Sequence, residues 1–182
     1  YVFPKITGNL SYTISKSKSI YSNYDYKVEL PLANQILPVL NLSNPLNTYV
    51  GNADLKPTKQ HSFYLNYNNY NWQERNGIFF YGGMNIYKDQ IVSSTVYDAD
   101  FKATTTYQNV DSGASSYFGA TWSKSFKKEK RNLRLSIGLD SGYNFNQGLT
   151  NAELYEAKSW RAEPKLSLNW SIEELITIAP SY

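Results

Sequence analysis

Few residues in this chain have the type and spacing to do chemistry. His61 is the only histidine, and Ser62 follows it directly. A base and nucleophile must share one face, yet successive residues of a strand point to opposite faces, so the pair makes no dyad. His61 instead shares its side with Phe63, Leu65 and Tyr67 near a strand end, which suits an interfacial ring. Asp98-Ala99-Asp100 places two carboxylates in a loop, where they could donate oxygens to calcium. No third acid lies nearby, and a polar turn explains them more simply. Lys127-Lys128-Glu129-Lys130-Arg131 is a charge run that reads as a solvated turn close to lipid phosphates. Cysteine is absent, which removes thiolate metal sites and disulfides, and no glycine-rich phosphate loop occurs. The expectation is therefore no enzyme, no catalytic residue, no metal and no cofactor, with the residues that bind substrate unassigned.

The elements that would position any site carry a stronger signal, a hydrophobic period of two. From Lys5 to Ser15 the apolar positions are Ile6, Leu10, Tyr12 and Ile14, opposed by Thr7, Asn9 and Ser11. Ile20, Tyr24, Tyr26, Val28 and Leu30 oppose Asn23, Asp25, Lys27 and Glu29, and the alternation resumes from His61 to Asn69. Gly77 to Asp89, Ile91 to Tyr97 and Thr104 to Val110 are less regular. Three later runs are the clearest, from Phe118 to Phe126, Leu133 to Phe145 and Trp160 to Trp170, with a last partial strand from Ile176 to Tyr182. About nine strands are expected, and the only long uncharged stretch, Leu30 to Leu46, is broken by Pro31, Pro38 and Pro45 and forms no membrane helix.

The connections alternate in character. Lys16–Ser19, Asn69–Asn76, Lys127–Asn132 and Ser171–Leu175 are short and polar or charged. Pro31–Thr58, Asp98–Lys102 with Asp111–Ser115, and Asn146–Leu154 are mostly longer and rich in Asn, Gly, Ser and Pro. Short turns at one end and long loops at the other mark outer-membrane barrels. Trp160 and Trp170 lie on one face about 33 Å apart along the strand. A tilt of roughly 40° reduces this to about 25 Å, the height of a lipid-facing band between aromatic girdles. Only 41% of residues are apolar while 16% are aromatic, with 17 tyrosines. Tyrosine favours places that are apolar at one end and wet at the other. A soluble β-sandwich would show the same alternation, and its distinguishing mark would be a second sheet packed on the apolar face. The net charge of +3, with charges interspersed, gives nucleic-acid binding no support.

The most specific segment is Ser43-Asn44-Pro45-Leu46-Asn47-Thr48-Tyr49-Val50-Gly51-Asn52-Ala53-Asp54-Leu55-Lys56-Pro57, followed by the strand from His61. It resembles the "GNP-x-LKP" motif of TonB-dependent outer-membrane receptors, with Ala53 where the family usually has Pro. Together with Leu37-Pro38-Val39, Asn44-Pro45-Leu46, Ile91 to Tyr97 and Tyr107 to Asp111, it makes the whole chain similar to the Bacteroidetes outer-membrane β-barrel family. Physically the motif reads as a loop-to-strand transition that sets register, Gly51-Asn52 taking left-handed angles and Lys56-Pro57 forcing an extended backbone.

The resemblance implies an all-β fold, a segment of an antiparallel up-and-down transmembrane barrel of about 22 strands around a plugged lumen. Residues 1–182 would all belong to that one barrel domain, with no plug domain and no signal peptide in the chain, and with Tyr182 either a truncation point, which the short proline-containing last run favours, or a terminal aromatic that signals barrel assembly. It further implies residence in the outer membrane of a Gram-negative cell and a share in the wall of a receptor for nutrient uptake. The implied partners are outer-membrane lipid, the rest of the barrel and its plug, a TonB-type energy transducer and a surface lipoprotein, with no nucleic acid. The alternatives are a porin-like pore, a soluble β-sandwich or adhesin-like glycan-binding module, and a barrel hydrolase, which the single histidine disfavours.

Overall fold

A computed structural model describes residues 3–39, 46–172 and 176–181, and of Ser112 only the backbone. The described residues form nine strands and one helical turn: β1 (Ile6–Ser15), β2 (Lys18–Glu29), α1 (Ala33–Ile36), β3 (Asn47–Tyr49), β4 (Thr58–Asn71), β5 (Asn76–Tyr97), β6 (Ala103–Lys128), β7 (Arg131–Thr150), β8 (Glu153–Ile172) and β9 (Ile176–Ile178). Apart from β3, they lie in chain order in a single sheet, each antiparallel to the next. The fold is all-β and up-and-down, as the alternation implied.

Cross-strand register lines the apolar positions up on one face. One row runs Lys18, Asn69, Ile78, Trp122, Ile137 and Leu166. The row above the next holds Ser22, Leu65, Gly82, Phe118, Ser141 and Ala162. Among the described residues nothing packs on this face: Ala103 and Val110 are the buried hydrophobic side chains, while Leu10 is 62% exposed and Trp160 71%. A soluble β-sandwich would cover these side chains with a second sheet, and this chain shows a single sheet. The hydrophobic effect requires an apolar medium against such a surface, and hydrocarbon supplies it.

The opposite face is polar, and four glycines on it, Gly77, Gly83, Gly119 and Gly148 (the last under Tyr155), are each covered by a tyrosine from the neighbouring strand. A Cβ at Gly83 would fall 2.5 Å from the Tyr117 ring, at Gly77 the same distance from Tyr70, and at Gly119 it would collide with Tyr81. Each pair is directly cross-strand. The ring replaces the missing side chain and fixes its own direction, which holds the register on a face with little apolar content.

Several boundaries differ from the sequence expectation. Gly77–Asp89 and Ile91–Tyr97 are parts of one strand, β5, and Thr104–Val110 joins Phe118–Phe126 in β6. Asp111–Ser115, expected in a loop, lies inside β6 and pairs with β5. Asn146–Leu154 is likewise strand except for a turn at Asn151-Ala152, both residues at positive φ (50° and 63°), the backbone of a tight hairpin turn. In both places the ladder continues where the apolar side chains stop, since backbone hydrogen bonds need no apolar face. Pro31–Thr58 remains mostly irregular, with α1 and β3 inside it. β9 is shorter than the run expected from Ile176 to Tyr182. The expected turn at Glu173-Glu174, the Asn44-Pro45 step and Tyr182 fall outside the described residues.

Candidate functional site

The polar face carries a hydrogen-bonded side-chain network that runs across the strands. Thr7 Oγ1 donates to Asp25 Oδ1 at 2.7 Å, and Asn9 Oδ1 accepts from Asn23 Nδ2 at 2.7 Å and from the Tyr21 hydroxyl at 3.2 Å. Asn85 Oδ1 accepts from Ser62 Oγ at 2.7 Å and Gln60 Nε2 at 3.3 Å, while Asn85 Nδ2 donates to Ser115 Oγ at 3.2 Å. Further along, Asp140 accepts from the Tyr81 hydroxyl at 3.1 Å and is ion-paired with Lys165. Asp140 sits directly opposite Glu163, a like-charge pair that would repel. Lys165 and Arg161, two residues to either side of Glu163 on the same face, prevent this. Lys165 takes Asp140, and Arg161 Nε lies 3.4 Å from Glu163. The face thus offers alternating donors, acceptors and compensated charges, suited to wet polar contacts.

Ser62 therefore faces the polar network, while His61 faces the other way. The His61 ring lies 4.9 Å from Tyr26, and its Nδ1 is 2.9 Å from the Tyr24 hydroxyl. Trp160, near the same level of the sheet, donates its indole N–H to Ser141 Oγ at 3.1 Å. Both rings keep an apolar body outward and a satisfied polar atom, the arrangement of an aromatic girdle. Asp98 Oδ1 accepts the backbone N–H groups of Asp100 and Lys102, both at 2.9 Å, so this carboxylate closes the turn. Among the described residues no group of three metal-ligating side chains occurs.

At the long-loop end the β5–β6 hairpin rises beyond the apolar belt and turns over. Up to Lys88, β5 pairs with β4, whereas at Ser94 and Thr95 the same edge pairs in parallel with Leu149 and Thr150 of β7. β6 makes the reciprocal change, from β7 to β3. A two-stranded ribbon twists strongly, and a half-turn here exchanges the neighbours of its edges. The change occurs at Asp89, whose φ is 56°. Its carbonyl accepts from Asn109 Nδ2 at 2.7 Å and from Thr58 Oγ1 at 3.2 Å, and Lys59 Nζ holds its carboxylate at 2.9 Å. These contacts supply what a non-glycine residue at positive φ costs, about 1–3 kcal/mol.

The motif segment packs against this hairpin. Asn52 Nδ2 donates to the Tyr107 carbonyl and Asn109 Oδ1 accepts the Lys56 N–H, at 2.9 Å and 2.8 Å. Gly51 does not adopt a left-handed conformation, and no glycine of the described residues has positive φ. A Cβ at Gly51 would instead run into the Leu37 backbone. Glycine is required here for close approach of two chain segments. The motif clamps the loop to the hairpin, a role that local turn chemistry did not reveal because the partner is more than fifty residues away.

The Lys59 ammonium beside Asp89 holds that carboxyl below its ordinary value of 3.8, and Lys59 is held above 10.5 in return. A lowered carboxyl contributes stability that is complete above pH 3.8 and is lost as pH falls through the lower folded value. A raised lysine contributes below pH 10.5 and ceases to as pH rises beyond its folded value. A fluorophore at position 101, on the hairpin tip, is expected to gain mobility as pH falls below 3.8. Asp89→Asn should give the mobile signal already at pH 7 and flatten the acid dependence.

A family model described as "Outer membrane protein beta-barrel family" matches residues 2–179. No curated protein matches the sequence. Among solved structures, the chain is similar to the crystal structure of the siderophore receptor PirA from Acinetobacter baumannii, with a TM-score of 0.48 and 11% identity. That similarity covers 96% of this chain and 36% of the receptor, so the chain spans little more than a third of the receptor's length.

Proposed function

The chain belongs to the outer membrane protein β-barrel family, and from that premise we propose that it is part of the wall of a TonB-dependent receptor that imports a scarce nutrient. Its place is the outer membrane, the apolar face against lipid and the short turns toward the periplasm. Residues 1–182 would form part of one barrel domain, whose partners are the remaining strands, a plug, an energy transducer and a surface lipoprotein. The observation that carries the reading is the polar face. Successive side-chain hydrogen-bond clusters from Asn9 to Lys165, backed by a bare apolar face, suit a wide lumen lined for polar contacts. The motif segment, resembling that of such receptors and clamped to the β5–β6 hairpin, adds support. Nothing in this reading asks for a catalytic residue, and the chain's contribution is to enclose and to line.

Uptake of labelled metal chelates, vitamins and oligosaccharides by cells with and without the full-length protein tests the proposal. One class should depend on the protein and stop when the proton-motive force is collapsed. Uptake that survives the collapse would instead indicate passive diffusion, and uptake of nothing would remove the transport reading.

A further inference from the structure

The two ends of the apolar face treat charge differently. At the long-loop end, among the described residues, two of its three cations have carboxylate partners, Lys59 with Asp89 at 2.9 Å and Lys158 with Glu156 at 2.8 Å, while Lys88 lies opposite Lys59 without an ion pair. At the short-turn end, register places Lys18, Lys124, Lys128 and Arg131 on that face. Lys18 shares a row with Trp122. Lys124 lies opposite Leu135, and Phe126 follows it on the face. Arg131 pairs with Ile172, two residues beyond Trp170. None of these four cations makes an ion pair among the described residues, and no carboxylate occupies a described strand position of that face at that end.

Cations that snorkel beside tryptophan at the edge of an apolar belt meet lipid headgroups, and without an ion-pair partner they meet them unneutralised. We propose that the short-turn end is a binding belt for anionic phospholipid, of the phosphatidylglycerol type, in the leaflet that contacts it. Lys18 and Lys124 take the phosphates from the apolar side, and Lys128 and Arg131 take them from the turn. This rests on the barrel reading, which sets that end at the periplasmic leaflet, where phospholipid is the lipid present.

The test uses the full-length protein, purified from outer membranes in neutral detergent and titrated with phosphatidylglycerol or phosphatidylethanolamine under native mass spectrometry. The wild type should retain phosphatidylglycerol in preference, and K18Q/K124Q/K128Q/R131Q should retain at least about tenfold less. Equal retention of both lipids, or no loss in the variant, would overturn the proposal. So would displacement of the lipid by millimolar inorganic phosphate, which would mark a plain anion patch. Heat-modifiable migration of the same samples reports the barrel independently, so a wild type that shows no lipid preference while its migration is intact counts against this belt alone. If the fourfold variant fails to assemble, K18Q/K124Q is read by the same criteria.

Discussion

Ile137→Arg should block assembly of the full-length barrel or destabilise it by about 2–4 kcal/mol, the cost of an arginine at the bilayer midplane. Ile137 sits in the cross-strand row with Trp122 and Leu166, between the levels marked by Trp160 and Trp170. It is 49% exposed, which in water would make it an unremarkable site for a charge. Ser136→Arg, one residue away and facing the polar network, is expected to change stability by only a few tenths of a kcal/mol. Urea unfolding of both variants refolded in vesicles measures the difference. Equal costs would mean that the two faces do not meet different media.

Gly51→Ala should cost about 1–3 kcal/mol locally, the range for overpacking, or more because the obstructing atoms are backbone. The new methyl group meets the Leu37 carbonyl, which cannot rotate away as a side chain would. Relief requires the segment to lift from Leu37. This breaks the hydrogen bonds of Asn52 to Tyr107 and to Gln35 and frees β3 from β6. Proteolysis of intact cells should then cut within residues 30–57 of the variant and leave the wild type whole, while the belt strands stay protected in both. Gly8→Ala is the control, because its Cβ would meet nothing within 4 Å. Comparable cutting of the two variants would contradict the clamp.

The belt strands were legible because one of their faces is apolar. Leu133 to Phe145 and Trp160 to Trp170 alternate for structural reasons, and their register in the sheet keeps that alternation on one side. Above the belt both faces are wet, the alternation lapses, and Asp111-Ser112-Gly113 reads as a turn although it continues β6. The ion pair of Asp140 with Lys165 could have been found. Once the turn is placed at Asn151-Ala152, every pair of that hairpin follows, Asp140 opposite Glu163 and beside Lys165. Reading Asn146–Leu154 as a long loop concealed it. The half-turn at Asp89 had no local signal, since its cause is the combined hold of Thr58, Lys59 and Asn109.

The central claim is that alternate residues of each strand face lipid and a wet lumen, and β8 tests it most directly. The chain has no cysteine, so in full-length protein cleared of any cysteine elsewhere, single cysteines at positions 161 to 168 can each carry a spin label. Labels at 162, 166 and 168 should relax with oxygen dissolved in the bilayer. Those at 161, 163, 165 and 167 should respond to a water-soluble nickel complex, giving a period of two. Labels that all respond to nickel, or that show no alternation, would contradict the account.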